Sequence, residues 1–307
     1  MVQQPRVLVI GSANMDFTVA VPELPQEGQT VMGGSFYTSH GGKGANQAVA
    51  ARRLGAQVRF LGGIGTDPQG DQIVRQFEAE GIPIDGLIRM EDAATGVALI
   101  VVDGEGRNQI AVASGANLRL SPEAARAHET LLLTAKVLLC QLEIPLETVQ
   151  WALAAAREHA VLTILNPAPA CALPDSVLSL VDCLTPNAAE AERLSGVSVD
   201  GPGSAARAAQ RLLARGPKRV IVTLALRGSC TATGRPPCTT RPFRCRRWTP
   251  PGRGMPSTGR WPWAWLRAGA GRRPSRWPMP RPPSPARSAA RKPRSLPEVT
   301  WKPSCAS

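Results

Sequence analysis

Gly11-Ser-Ala-Asn-Met-Asp16 places an amide, Asn14, and a carboxylate, Asp16, two residues apart just after a short apolar run. Gly41-Gly-Lys-Gly-Ala-Asn46 follows later and opens an Ala-rich stretch. Paired hydroxyl groups need carboxylate acceptors and amide donors on a rigid edge, and Asp16, Asn14 and Asn46 are of the right kind. Glycines let backbone come close to whatever they face. Taken alone, each piece has a structural alternative: Asp16 as a turn cap, Gly41-Gly42 as a plain helix entry. Glu143, Asn187 and Thr223 also follow apolar runs, at the ends of strands where open α/β sheets bind ligands.

Two familiar phosphate-binding readings fail. Lys43 is not the lysine of a P-loop, because neither Ser nor Thr follows it and the upstream glycine spacing is absent. Gly62-Gly-Ile-Gly65 resembles a dinucleotide fingerprint only faintly. Asp67-Pro68 stands where the helix would have to begin, so Gly62–Gly65 is expected to be a turn instead.

The elements that must position these residues alternate. Arg6–Ile10 and Val58–Leu61 are short apolar runs stopped by glycine, as buried parallel strands are, with a helix over 44–54 between them. Thr95–Val102, the turn Asp103-Gly-Glu-Gly106 and Asn108–Val112 read as a hairpin, adding a small sheet beside the main one. Strands at Lys136–Leu139, Val161–Leu165, Val181–Thr185 and Arg219–Val222 alternate with helices at Leu146–His159, Asn187–Leu194 and Gly203–Arg215. That order predicts a mainly parallel sheet with helices on both faces.

The ordered motifs carry a resemblance. Gly11–Asp16, Pro25–Thr30, Gly41–Ala50, Thr95–Ala98, Gln141–Glu143, Asn166-Pro-Ala-Pro169 and Thr185–Glu190 closely resemble the ribokinase family of pfkB-type carbohydrate kinases, over roughly residues 5–228. The resemblance implies a three-layer α/β/α sandwich with a mainly parallel central sheet and a small antiparallel β lid. The lid strands are expected near 11–18, 31–40, 95–102 and 108–113. It further implies ribose contacts from Asn14, Asp16, Gly42, Lys43, Gly44, Asn46 and Glu143, and ATP-side contacts from Asn187, Thr223, Arg227 and Gly228. Glu190 would organise Mg²⁺ through water, a role suited to a hard oxygen ligand. K⁺ is implied as a monovalent activator, and a homodimer through the lid as the assembly. At position 225 the family usually has Gly, so the Ala225 methyl is expected to weaken ATP binding.

Composition breaks abruptly where the resemblance stops. The chain has 307 residues, 43% of them hydrophobic, and 36 Lys and Arg against 23 Asp and Glu, a net charge of +13. From Ser229 onward lie 17 of those basic residues but a single acid, Glu298, together with 16 of the 29 prolines and six of the seven tryptophans. The family's Asp-Thr-x-x-Ala-Gly-Asp signature, which would supply the anion hole and the catalytic aspartate, is absent. Trp248–Gly259 stands in its approximate place. Back-translated from the third base of each codon, that segment forces Asp at Trp248-Thr249 and Ala at Met255-Pro256. The codons between permit Asp-Thr-Thr-Gly-Ala-Gly-Asp, whose last residue straddles Gly254 and Met255. A reading-frame shift between Leu224 and Thr240 accounts for the break, in the direction of one base lost or two gained. The tail at 229–307 then reads as a frameshift product, which would adsorb to nucleic acid only nonspecifically, through charge.

No apolar run is long enough for a membrane span and no leader pattern opens the chain, so a cytoplasmic protein is expected. Cys140, Cys171 and Cys183 are isolated in apolar surroundings and read as buried thiols.

Overall fold

The structure is a computed structural model, and it describes residues 4–225 and 228–233. Its larger sheet has eight strands in the order β12-β11-β10-β9-β8-β1-β4-β5. In chain order these are β1 (Arg6–Ile10), β4 (Gln57–Gly65), β5 (Leu87–Met90), β8 (Val137–Cys140), β9 (Leu162–Leu165), β10 (Cys183–Leu184), β11 (Arg219–Thr223) and β12 (Ser229–Thr233). All neighbours run parallel except β11 and β12, which pair antiparallel from Arg219 opposite Thr233 to Thr223 opposite Ser229. The first strand shows why the sheet is central. Val7, Leu8, Val9 and Ile10 are all buried, so neither of its faces meets water.

Alternate residues of that strand enter two separate cores. Leu8 and Ile10 join Leu138, Leu165, Leu184, Val220 and Val222 beneath α5 (Leu146–Glu158) and α8 (Pro202–Leu213). Val7 and Val9 join Val58, Phe60 and Leu139 beneath α1 (Lys43–Arg53) and α2 (Pro68–Ala79), where Phe60 meets Phe77 edge to face at 4.9 Å. Helices on both sheet faces are therefore present.

A second sheet of four strands, ordered β3-β2-β6-β7, comprises β2 (Asn14–Ala20), β3 (Ser35–Gly41), β6 (Gly96–Val102) and β7 (Asn108–Ala113). The expected hairpin is its β6–β7 pair, closed by a turn in which Asp103 accepts from the backbone of Glu105 and Arg107 and Gly106 takes φ 82°. The sheet is mixed rather than wholly antiparallel, because its middle pair, β2 and β6, runs parallel. Phe36, Leu99, Ile110 and Val112 on this sheet are all more than half exposed.

Two readings of the sequence need correction. Gly62-Gly-Ile-Gly65 is not a turn: it continues β4, with Gly62 to Gly65 paired to Leu87 to Met90. Its glycines serve close approach, since a Cβ at Gly62 would lie 2.6 Å from the Gly11 carbonyl oxygen and one at Gly63 2.6 Å from that of Ala116. Cys171 is exposed, lying in a loop rather than a strand, whereas Cys140 and Cys183 are buried strand residues as expected. Burial pushes the Cys183 thiol up to about 12 and that of Cys140 higher still.

The two sheets are latched by one carboxylate. Asp67 caps α2 by accepting from Gly70 N at 2.8 Å, and it also accepts from Thr95 N at 2.7 Å and Thr95 Oγ1 at 2.6 Å. Thr95 directly precedes β6. Burial alone would raise the Asp67 carboxyl, but these hydrogen bonds overcome it and hold it below the ordinary 3.8. A depressed folded-state value stabilises the fold above the unfolded value and loses that contribution on acidification. Asp67→Ala should therefore cost about 1 kcal/mol at neutral pH, the scale of a lost N-cap. In urea titrations the gap from the parent should shrink as pH falls through and below 3.8.

Candidate functional site

The site begins with a helix that cannot cap itself. Gly42 precedes α1 at φ 87° and offers no side chain, so the first N–H groups of the helix need partners from elsewhere. Glu143, just after β8, accepts from Lys43 N at 2.9 Å through Oε2 and from Lys43 Nζ at 2.7 Å through Oε1. Ser12, in the turn between β1 and β2, donates from Oγ to Glu143 Oε2 at 2.5 Å. The same Oγ accepts from Gly44 N at 3.3 Å, and the Ser12 carbonyl accepts from Ala45 N at 2.8 Å. A carboxylate thus closes the positive end of α1. Burial would push its carboxyl up, yet the Lys43 and Ser12 hydrogen bonds hold it below the ordinary 4.5.

The glycine loop follows from this contact. A Cβ at Gly42 would lie 2.8 Å from the Ser12 carbonyl oxygen, and one at Gly44 would lie 2.6 Å from Ser12 N. The backbone that these glycines approach is the Ser12–Ala13 turn, and the approach brings Lys43 to Glu143.

Asp16 lies on β2 beside that pair, half-buried, and its carboxylate accepts no hydrogen bond from any described residue. Burial first, then the Glu143 charge, raises its carboxyl above 3.8, partly offset by Lys43. Asn14 is two residues earlier on the same face of the strand. Asn46, on the first turn of α1, is half-buried and makes no side-chain hydrogen bond to a described residue. Asn14, Asp16, Gly42, Lys43, Gly44, Asn46 and Glu143 therefore come from three chain segments to one place.

Asn187 and Glu190 form a second cluster. Asn187 caps α7 (Ala188–Ser195) by accepting from Glu190 N at 2.8 Å, while Glu190 accepts from Asn187 N and Nδ2, each at 2.8 Å. Asn187 also bridges to Thr223, whose N–H donates to the Pro186 carbonyl at 2.9 Å. Burial raises the Glu190 carboxyl and the Lys43 charge lowers it, so the two clusters are in electrostatic reach of one another. Past Thr223 the backbone turns through Gly228 at φ 92°, with Leu224 N donating to the Gly228 carbonyl at 2.8 Å. Arg227 lies outside the described residues, as do Gly254 and Met255.

Ser12, Asn117 and the amides Gln47, Gln141 and Asn166 were not singled out by type or spacing. Gln141 donates to Gln47 at 2.7 Å, Gln47 to Asn166 at 3.3 Å, and Asn166 to the Thr185 carbonyl at 3.1 Å, a relay beneath both clusters. For Ser12, Gln47, Gln141 and Asn166 the signal in the sequence is membership of the motifs that frame the site, whereas Asn117 lies in none of them.

The geometry has counterparts. Residues 4–244 match the model of the pfkB family carbohydrate kinases. The ribokinase of Haemophilus influenzae is 42% identical over 220 residues, which make up 72% of each chain. A bifunctional ribokinase/ribose-5-phosphate isomerase A of Fructilactobacillus sanfranciscensis is 42% identical over 229 residues, 74% of this chain but only 42% of that longer protein. Among solved structures, Arabidopsis thaliana ribokinase complexed with ribose and ATP superposes with a TM-score of 0.70 at 30% identity, covering 76% of each chain.

Two outcomes follow from the electrostatics and the backbone. Because the folded-state value of Asp16 is raised, its ionisation works against the fold once pH climbs past that value. Asp16→Asn should raise the melting temperature at pH 7 and leave it unchanged near pH 3. Ala225 holds φ 48°, a left-handed conformation that glycine adopts freely. Ala225→Gly should stabilise the chain by about 1 kcal/mol in the same thermal assay.

Proposed function

The chain belongs to the pfkB family of carbohydrate kinases, and from that premise we propose that its fold is built to transfer the γ-phosphoryl group of ATP to the 5-hydroxyl of D-ribose. The observation that carries the reading is the Lys43–Glu143–Ser12 clamp with Asp16 beside it. Together with Asn14 on the same strand face, it brings carboxylate acceptors and an amide donor to one place, as a polyhydroxyl ligand requires. Asn14, Asp16, Gly42, Lys43, Gly44, Asn46 and Glu143 would hold the sugar. Asn187, Thr223, Arg227 and Gly228 would lie on the nucleotide side.

Magnesium carried on the nucleotide would be held by Glu190 through water. Each Glu190 oxygen takes one hydrogen bond from Asn187 and keeps a free lone pair, and no cluster of three or more acidic, His or Cys groups forms a direct cage among the described residues. When bound, that ion neutralises phosphate charge. The potassium activator and a cytoplasmic location belong to the same proposal. Among the described residues, no helix is long and apolar enough to cross a membrane. The second sheet would act as lid over the sugar and as homodimer contact, a use that suits exposed Phe36, Leu99, Ile110 and Val112.

What the printed sequence lacks is the base. Phosphoryl transfer needs a group to take the proton from the attacking hydroxyl and amides to meet the charge on the moving group. In the shifted frame both return, as Asp-Thr-Thr-Gly-Ala-Gly-Asp. That the matched stretch makes up the same 72% of this chain and of the Haemophilus protein supports the frame reading, as does the composition break. We read the printed chain as a sugar-binding remnant of a kinase, with a basic tail that adsorbs nucleic acid nonspecifically.

Expressed side by side, a gene with the frame restored between codons 224 and 240 should show ribose-dependent ADP release. The printed chain should fall short of it by at least about a thousandfold, the combined scale of a lost base and anion hole. Equal rates would refute the frame reading, and no release from either would refute the kinase assignment.

A further inference from the structure

Asn117 carries a contact set that the reaction has not used. It lies in the short 3₁₀ turn Gly115–Arg119 that follows β7, and it is 1% exposed. Its Oδ1 accepts from Ala13 N at 2.9 Å. Its Nδ2 faces three oxygens: Asn14 Oδ1 at 2.7 Å, the Ser114 carbonyl at 3.0 Å and the Ala13 carbonyl at 3.3 Å. A backbone N–H only donates and a carbonyl only accepts, so the backbone fixes which end of the Asn117 carboxamide is which. The polarity then passes outward: Asn14 must turn its oxygen to Asn117 and its Nδ2 away.

Space is cleared for this arrangement. In the sheet register Asn14 stands between Gly41 on β3 and Gly96 on β6. A Cβ at Gly96 would lie 2.2 Å from Asn14 Oδ1 and 2.3 Å from Asn117 Nδ2, so a side chain there would break the pair. Asn14 Nδ2 itself donates to no described residue, and it is not sealed in. Among the described residues, the buried side-chain atoms left without a partner are Gln76 Oε1 and Gln141 Oε1.

We infer that Asn117 is a positioning residue that fixes Asn14 as a hydrogen-bond donor toward the ligand. The donor sits two residues from Asp16, an acceptor on the same sheet face, so the pair recognises a hydroxyl that accepts from Asn14 Nδ2 and donates to the Asp16 carboxylate. This assignment rests on the sugar-binding reading for the identity of the ligand. The polarity of the Asn14 amide does not.

The test is hydrogen exchange of the ¹⁵N-labelled Asn carboxamides in the full chain, with and without ribose, beside ribose titrations of the parent and of Asn117→Ala. The Asn117 Nδ2 protons should exchange at least tenfold more slowly than those of Asn14, and ribose should slow the Asn14 pair. Asn117→Ala should lose at least tenfold in ribose affinity while its own melting transition remains cooperative. Exchange in the opposite order, or ribose affinity unchanged in Asn117→Ala, overturns the assignment. Should ribose alter nothing in the parent, the sugar reading fails, and the order of exchange alone decides the polarity. Should Asn117→Ala not fold, the order of exchange in the parent decides it likewise.

Discussion

The Glu143 carboxylate is the constraint from which the site is built. It receives Ser12 from the end of β1, and both the backbone and the side chain of Lys43 from the start of α1, while itself standing just past β8. β1 and β8, which pair in the sheet, and α1, which packs against both, are thereby fixed to one another at one end. A half-buried charge without such partners would neutralise itself by taking up a proton. Here the helix amides, an ammonium and a hydroxyl keep it ionised, and the same contacts hold Lys43 near Asp16 and Glu190. The glycines at 42 and 44 are a consequence, since any side chain would drive α1 away from Ser12.

The two clusters, proposed above as the sugar side and the nucleotide side, are assembled by different means. On the sugar side the groups converge from distant segments, and Asp16 keeps its lone pairs free at a cost to the fold, as functional carboxylates often do. On the nucleotide side Asn187 and Glu190 satisfy each other within one helical turn, so that cluster is local and self-contained. The buried amide relay from Gln141 through Gln47 and Asn166 to the Thr185 carbonyl joins the two. Of the residues proposed for the two sides, all but Arg227 lie among the described residues. In the reading proposed above, charge neutralisation on the moving phosphoryl group and removal of the hydroxyl proton fall to residues of the shifted frame.

Much of this was legible in the sequence because it depends on local pattern. β1, α1 and the β6–β7 hairpin follow from apolar periodicity and turn residues, and Asn14 and Asp16 come soon after β1 as Glu143 does after β8. Other parts depend on distance. Ser12 reaches Glu143 across 131 positions and Asn117 reaches Ala13 across 104, and no spacing rule connects residues so far apart. Gly62–Gly65 reads as a turn because glycine usually ends strands. It is a strand here because neighbouring backbones at Gly11 and Ala116 leave no room for side chains. The parallel pairing of β2 with β6 could not be read from a hairpin signal, which speaks only for β6 and β7.

The central claim is that the sugar half of a kinase site stands in this chain without its catalytic end. Isothermal calorimetry of ribose against the full 307-residue protein tests it most directly. The account predicts one saturable binding event per chain, abolished in Glu143→Gln. Folded protein that takes up no ribose, or binding that survives Glu143→Gln undiminished, would contradict it.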